Sequence, residues 1–160
     1  MNGQFDLELV RPMVRSDIAD VADIEQQVTC YPWTQNSFSQ SLKAGYQCWV
    51  TESNGRVIAY LVQSISFEES HILNLAVTFS HQGRGLGRGL VKKACTDAAK
   101  NGVANILLEV HTNNLIAQRL YESEGFLVFG RRHNYYRSCD GAEDALVMVR
   151  DLVTASVMTT

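Results

Sequence analysis

No stretch of this chain approaches the roughly 20 consecutive apolar residues of a membrane-spanning helix, so a transmembrane role is not expected. The first residues, Met1-Asn2-Gly3-Gln4-Phe5-Asp6, lack the basic and apolar regions of a secretory signal. Cys30, Cys48, Cys95 and Cys139 form no Cys-x-x-Cys pair, and scattered cysteines of this kind predict reduced thiols in a cytoplasmic protein. His71, His81, His111 and His133 share no metal-ligand spacing, so no metal is expected. A net charge of −3 makes the molecule no electrostatic magnet for nucleic acid. No repeat, low-complexity tract or linker divides the 160 residues, which predicts one domain over 1–152 and a loose tail over 153–160.

What is present is ordinary soluble-protein composition, 46% hydrophobic and 19% charged, enough to bury a core. Leu7 to Arg11 alternates like a half-buried strand. Ser16 and Asp17 are helix-start residues, and Ile18, Val21, Ala22, Ile24, Glu25 and Val28 form a helical stripe to about Cys30. Pro32 interrupts it, and Thr34 can cap a second helix that ends near Gly45. Asn54-Gly55 between two apolar runs is a strong hairpin signal, and a third antiparallel strand follows from about Ser70 to Val77. A helix from about Leu86 to Asn101, a strand over 104–110 and a helix from Asn113 or Asn114 to Gly125 come next. Phe126–Phe129 and Ala145–Val149 read as the last strands, joined by a polar loop from Arg137 to Glu143. The order is βααβββαβαββ, an α/β chain with a mixed sheet.

Gly83, Gly85, Gly87 and Gly89 lie between the strand ending at Val77 and the helix starting at Leu86. Such a turn lets backbone approach a ligand closely, and the helix start offers unpaired N–H groups and a positive dipole end to an anion. Arg84, Arg88 and Lys92 add formal charge there. A pyrophosphate site is the natural reading. A Walker loop is excluded because no Lys-Ser or Lys-Thr follows the glycines, and the dinucleotide fingerprint fails because the sixth position is Arg88 or Leu90.

The pattern Gln82-x-x-Gly85-x-Gly87 at a strand–turn–helix resembles the acetyl-CoA pyrophosphate loop of the GNAT N-acetyltransferases. Asn74-Leu75-Ala76-Val77, Leu108-Glu109-Val110 followed by Asn113-Asn114, and Leu120-Tyr121-Glu122-Ser123-Glu124-Gly125-Phe126 extend the likeness. Tyr31-Pro32-Trp33-Thr34, Arg132-His133-Asn134-Tyr135-Tyr136 and Asp140-Gly141-Ala142-Glu143-Asp144-Ala145 resemble one branch, the bacterial ribosomal-protein-alanine N-acetyltransferases (RimI). The likeness runs from about residue 7 to 150. It implies the GNAT fold, a mixed and mostly antiparallel central sheet flanked by about four helices. It also implies direct transfer of acetyl from acetyl-CoA to the N-terminal alanine of the eighteenth small-subunit ribosomal protein.

By that resemblance, Gly83, Arg84, Gly85, Leu86, Gly87 and Arg88 bind the pyrophosphate. Leu75, Ala76 and Val77 pair with pantetheine, with the Val77 N–H near the thioester oxygen, and Asn114 is a further CoA contact. Read alone, Asn114 serves equally as a helix cap. Glu109 is the odd residue in an apolar run, placed either on a solvated face or deliberately in a cleft. The resemblance makes it the general base, acting through water. Tyr121 lies seven residues after Asn114, within about 20° on the same helix face. Alone it is core; the resemblance makes it the general acid. Tyr31, Trp33, Tyr135, Tyr136 and Asp144 would bind the acceptor, and Glu25, Asp140, Glu143 and Asp144 would face its basic tail. Cys95 and the other cysteines read as packing residues.

The magnitudes suit an N-terminus: an α-amine of pKa roughly 8 is about 10% neutral at pH 7, a lysine only about once in 2,500. Other protein N-termini, lysine side chains and small-molecule amines are the alternatives, as is a CoA-binding module without catalysis. No membrane partner is expected, and the chain is read as a monomer.

Overall fold

The computed structural model describes residues 8–139 and 141–153, with the side chain of Ser138 outside the description. Its elements are β1 (Glu8–Pro12), α1 (Ile18–Val28), α2 (Gln35–Lys43), β2 (Gln47–Ser53), β3 (Arg56–Ile65), β4 (Glu69–Val77), α3 (Leu86–Lys100), β5 (Asn105–His111), α4 (Leu115–Ser123), β6 (Leu127–Ser138) and β7 (Gly141–Asp151). This is the order read from the sequence. The seven strands are arranged β1-β2-β3-β4-β5-β7-β6. β4 runs parallel to β5, while β1 with β2, β5 with β7 and β6 with β7 are antiparallel, so the sheet is mixed. Among the described residues, no helix is long and apolar enough to cross a membrane. The described residues form two compact units, one up to Val62 together with Asn74–Leu90 and the other Gln63–Leu73 together with the residues from Val91 onward.

In the first unit, Arg11 on β1 clasps Asp17 through two hydrogen bonds of 2.8 and 2.9 Å and reaches Glu52 on β2 at 2.9 Å. The Arg11 hydrogen bond outweighs burial and holds the Asp17 carboxyl below its usual range. Asp17 also accepts the Val14 N–H at 2.8 Å, so it secures the entry to α1 instead of capping the helix by side chain. Thr34 does cap α2, accepting the Ser37 N–H at 3.1 Å while Ser37 answers at the Thr34 N–H. Asn54 and Gly55 both have positive φ, 53° and 79°, the two-residue turn that the Asn-Gly pair predicts between β2 and β3. Val21, Phe38, Val50, Ala59, Tyr60 and Leu61 are fully buried.

In the second unit, Ile106, Leu108 and Val110 of β5 are buried and alternate with half-buried Leu107, Glu109 and His111. Gln63 is wholly buried and donates to Ser70 Oγ at 2.8 Å and to the Ala94 carbonyl at 2.9 Å, which ties β3, β4 and α3 together. The last hairpin corrects the sequence reading. The expected loop from Arg137 to Glu143 is mostly strand, because β6 continues to Ser138 and β7 begins at Gly141. Arg131 to Tyr135 are exposed, so these residues carry no one-sided apolar alternation to announce a strand. A bulge at Asn134, with φ +51°, further disrupts the period.

Two smaller differences follow. α1 stops at Val28, and β7 reaches Asp151; Leu7, read as the start of the first strand, lies outside the described residues. Cys48 and Cys95 are free and buried, which matches packing residues, and burial pushes the Cys48 thiol up to about 11. Cys30 and Cys139 are each in a disulfide, correcting the expectation of four reduced thiols; sequence spacing carries no information about cysteine oxidation. Asp140, and all of the expected tail except Val153, lie outside the described residues.

Candidate active site

The first unit carries the proposed donor-binding residues. β4 ends with Leu75 and Val77 half-buried around buried Ala76. The β4–β5 ladder takes Glu69–Ile72, whereas β4 itself runs on to Val77. The turn after it is clipped at two points. Gln27 of α1 accepts the Thr78 hydroxyl at 3.0 Å and the Phe79 N–H at 3.1 Å. Gln82 donates through Nε2 to the Val77 carbonyl at 3.0 Å. Gln82 was legible in the sequence only as the first letter of the loop pattern; its work is to hold the turn against the strand it leaves.

Gly83 and Gly85 have φ of +80° and +85°, which L side chains rarely adopt, and a Cβ built on either would meet nothing within 4 Å. Conformation therefore requires these glycines, and the space over them is open. Gly83, Arg84 and Gly85 are exposed; Leu86 is buried and anchors the first turn of α3, leaving Gly87 half-buried and Arg88 exposed. Lys92, expected to add charge here, lies 3.1 Å from Glu124 instead.

On the proposed acceptor side of this unit, Tyr31 is exposed and Trp33 half-buried, with the Trp33 ring 5.2 Å from Phe38 and Phe38 edge-on to Tyr60 at 5.3 Å. Glu25 is 5% exposed, so it is not a surface charge facing a peptide tail. Its Oε2 accepts the Trp33 N–H at 2.9 Å and its Oε1 the Tyr60 hydroxyl at 2.7 Å. Burial, then the charge of Glu25, raises the Tyr60 pKa well above its ordinary value, so the phenol remains a donor. The signal was present: Glu25 falls on the apolar stripe of α1.

The second unit carries the titratable cluster. The Glu109 side chain is 4% exposed. His71 of β4 places Nε2 3.1 Å from Glu109 Oε2 and nearer still to Oε1, and the Tyr135 hydroxyl donates to Oε2 at 3.4 Å. Burial pushes the Glu109 pKa up, but the hydrogen bond and charge of His71, the charge of Arg132 and the bond from Tyr135 together leave it lowered. Tyr135 packs edge-on to Tyr136 at 4.9 Å, and Tyr136 stacks on His111 at 3.7 Å and 9°. Burial, with the nearby charge of Glu109, raises the pKa of both tyrosines. Glu143 accepts from His111 Nδ1 at 2.8 Å and from the Asn113 N–H at 3.3 Å, so it is engaged in its own unit.

Asn114 caps α4, accepting the Ala117 N–H at 3.1 Å through Oδ1. Tyr121, on the same helix, is buried against Phe126 at 5.9 Å, and burial pushes its hydroxyl up to about 12. Among the described residues no hydrogen bond ties that hydroxyl. Asp144 takes the Asn134 N–H at 2.9 Å, Arg131 Nε at 2.8 Å and His133 Nδ1 at 3.1 Å. These bonds, the backbone one first, lower its pKa and commit the carboxylate to the β6 bulge. The structure thus brings Glu109, Tyr135 and Tyr136 together and gives Asp144 to the hairpin. Among the described residues, no cluster of histidine, cysteine and carboxylate side chains is arranged to hold a metal ion.

Residues 17–126 match the acetyltransferase (GNAT) family. The chain is 32% identical over 142 residues to the [ribosomal protein bS18]-alanine N-acetyltransferase of Escherichia coli K12, covering 89% of this chain and 96% of that one. The crystal structure of the ribosomal-protein-S18-alanine N-acetyltransferase from Escherichia coli superposes with a TM-score of 0.85 at 32% identity, over 91% of this chain and 94% of that one. The yncA acetyltransferase of Salmonella typhimurium, solved with its cofactor acetyl-CoA, shares the fold at 21% identity and a TM-score of 0.78, over 91% of this chain and 94% of that one. The chain belongs to the GNAT acetyltransferase family, in the branch of ribosomal-protein-alanine N-acetyltransferases.

Proposed function

We propose that this enzyme transfers acetyl from acetyl-CoA to the N-terminal alanine of ribosomal protein bS18, with Glu109 as general base and Tyr121 as general acid. The observation that carries the reading is Glu109: a carboxylate whose side chain is 4% exposed, met by His71 and by the Tyr135 hydroxyl. Acetyl-CoA, when bound, supplies the acetyl group as a reactive thioester.

The residues present suit that donor. The open left-handed glycines and the first turn of α3 offer backbone N–H groups to a pyrophosphate, and Arg84 and Arg88 add charge. Leu75, Ala76 and Val77 present strand backbone beyond the reach of the β4–β5 ladder. Asn114 retains its Nδ2 hydrogens for a further contact, because its cap uses Oδ1.

Glu109 removes the ammonium proton, and a water can bridge the distance to the amine. Its lowered pKa keeps it ionised through the neutral range, as a carboxylate able to accept a proton. Tyr121, protonated through the neutral range, holds a proton for the departing sulfur. Tyr31, Trp33, Tyr135 and Tyr136 are the aromatic candidates for holding the acceptor peptide, and the reading carries a cytoplasmic site of action and no nucleic-acid partner. The test is an assay with acetyl-CoA and three acceptors: an Ala-Arg-Tyr peptide, an N-blocked lysine peptide and a polyamine. Mass spectrometry should find acetyl on the alanine nitrogen. Modification of only the blocked lysine peptide or the polyamine would overturn the assignment.

A further inference from the structure

The acid–base pair leaves one close contact unused. His71 sits on β4 opposite Leu107 in the β4–β5 register, and its Nε2 reaches diagonally to both oxygens of Glu109. The two side chains differ sharply in access to water: 27% exposed for His71 and 4% for Glu109. We propose that His71 is the positioning residue behind the base, orienting the Glu109 carboxylate and carrying to solvent the proton that each turnover releases. The inference rests on the N-acetylation reading.

Proton balance creates the need for such a route. An ammonium and a thioester become an amide, a thiol and one free proton. The first N–H proton passes to Glu109, freeing the nitrogen lone pair to form the C–N bond. As the C–S bond breaks, the second N–H proton replaces the one Tyr121 gives to sulfur. One proton then remains on Glu109, which cannot act again until it loses it. The carboxylic acid passes that proton to Nε2, returning to carboxylate, and the imidazolium sheds a proton to water from its exposed side. The other groups facing the pair are Arg132, Tyr135 and Tyr136, none of which can accept this proton: Arg132 is permanently charged, and both tyrosines are held in their protonated form.

His71→Gln keeps a donor near the place of Nε2 without a site that titrates. We expect kcat for the alanine peptide to fall about 10- to 100-fold with KM within about twofold, and the acid limb of the kcat–pH profile to vanish. His71→Ala should regain activity with added imidazole, and more basic methylimidazoles should restore more. In the ligand-free protein, nitrogen NMR should show the His71 Nε2 resonance move on Glu109→Gln. A His71→Gln enzyme with wild-type kcat and pH profile overturns the inference, as does an alanine variant blind to imidazoles or an unmoved Nε2 resonance. In each of those cases an active wild type with an inactive Glu109→Gln variant leaves the parent reading standing. A wild type that acetylates none of the three acceptors sinks both.

Discussion

Glu25 and Glu109 are both carboxylates among apolar neighbours in sequence, one on the stripe of α1 and one in the run of β5, and they end in different surroundings. Glu25 accepts one hydrogen bond on each oxygen, from the Trp33 N–H and the Tyr60 hydroxyl. Glu109 meets His71 Nε2 with both oxygens and the Tyr135 hydroxyl with Oε2. Neither burial nor the number of partners separates them. The kind of partner does: a backbone amide and a buried phenol pin Glu25 within the fold, whereas Glu109 meets an imidazole that opens to water.

The largest expected effect tests the second half of that contrast. Glu109→Gln should lower kcat about 1,000-fold while leaving the melting temperature within about two degrees, since the amide keeps an acceptor oxygen for its neighbours. A large stability loss with little change in kcat would reverse the two roles. Tyr121→Phe should come next, at about 100-fold in kcat, read by steady-state kinetics with KM for acetyl-CoA unchanged. Because burial holds the Tyr121 hydroxyl up at about 12, wild-type kcat should not fall on its account below about pH 10. An alkaline fall at lower pH that the phenylalanine variant abolishes would contradict its role as acid.

Glu25→Gln should show the opposite signature. An amide cannot accept with its nitrogen, so one of the two donors is left unmade, and denaturant unfolding should register a loss of about 2 kcal/mol. Its kcat should change only a few-fold. The smallest effect belongs to Asn114→Ala, which removes the α4 cap and should cost about 1 kcal/mol by the same measurement. If KM for acetyl-CoA also rises, Asn114 serves both the helix and the donor; if it does not, the cap is its whole function.

The element order was legible because most strands and helices here carry a one-sided apolar pattern with explicit stops, as at Thr34, Asn54-Gly55 and Asn114. Glu109 stood out as a charge in an apolar run. His71 did not, because its meeting with Glu109 depends on the parallel register of β4 on β5, and local periodicity carries no information on register. The long last hairpin was hidden for a related reason: with Arg131 to Tyr135 exposed, nothing in the pattern distinguishes strand from polar loop. Glu25 was visible on the stripe of α1, but its two partners, the Trp33 amide and the Tyr60 hydroxyl, come from residues 8 and 35 positions away.

β6 is the outermost strand of the sheet, and its bulge has a bearing on assembly. The Asn134 N–H is taken by Asp144 of β7, the strand it pairs with, and the backbone there turns to positive φ. A strand laid along this edge would lose register at the bulge, and irregularities of this kind are one of the ways a sheet avoids growing into fibres.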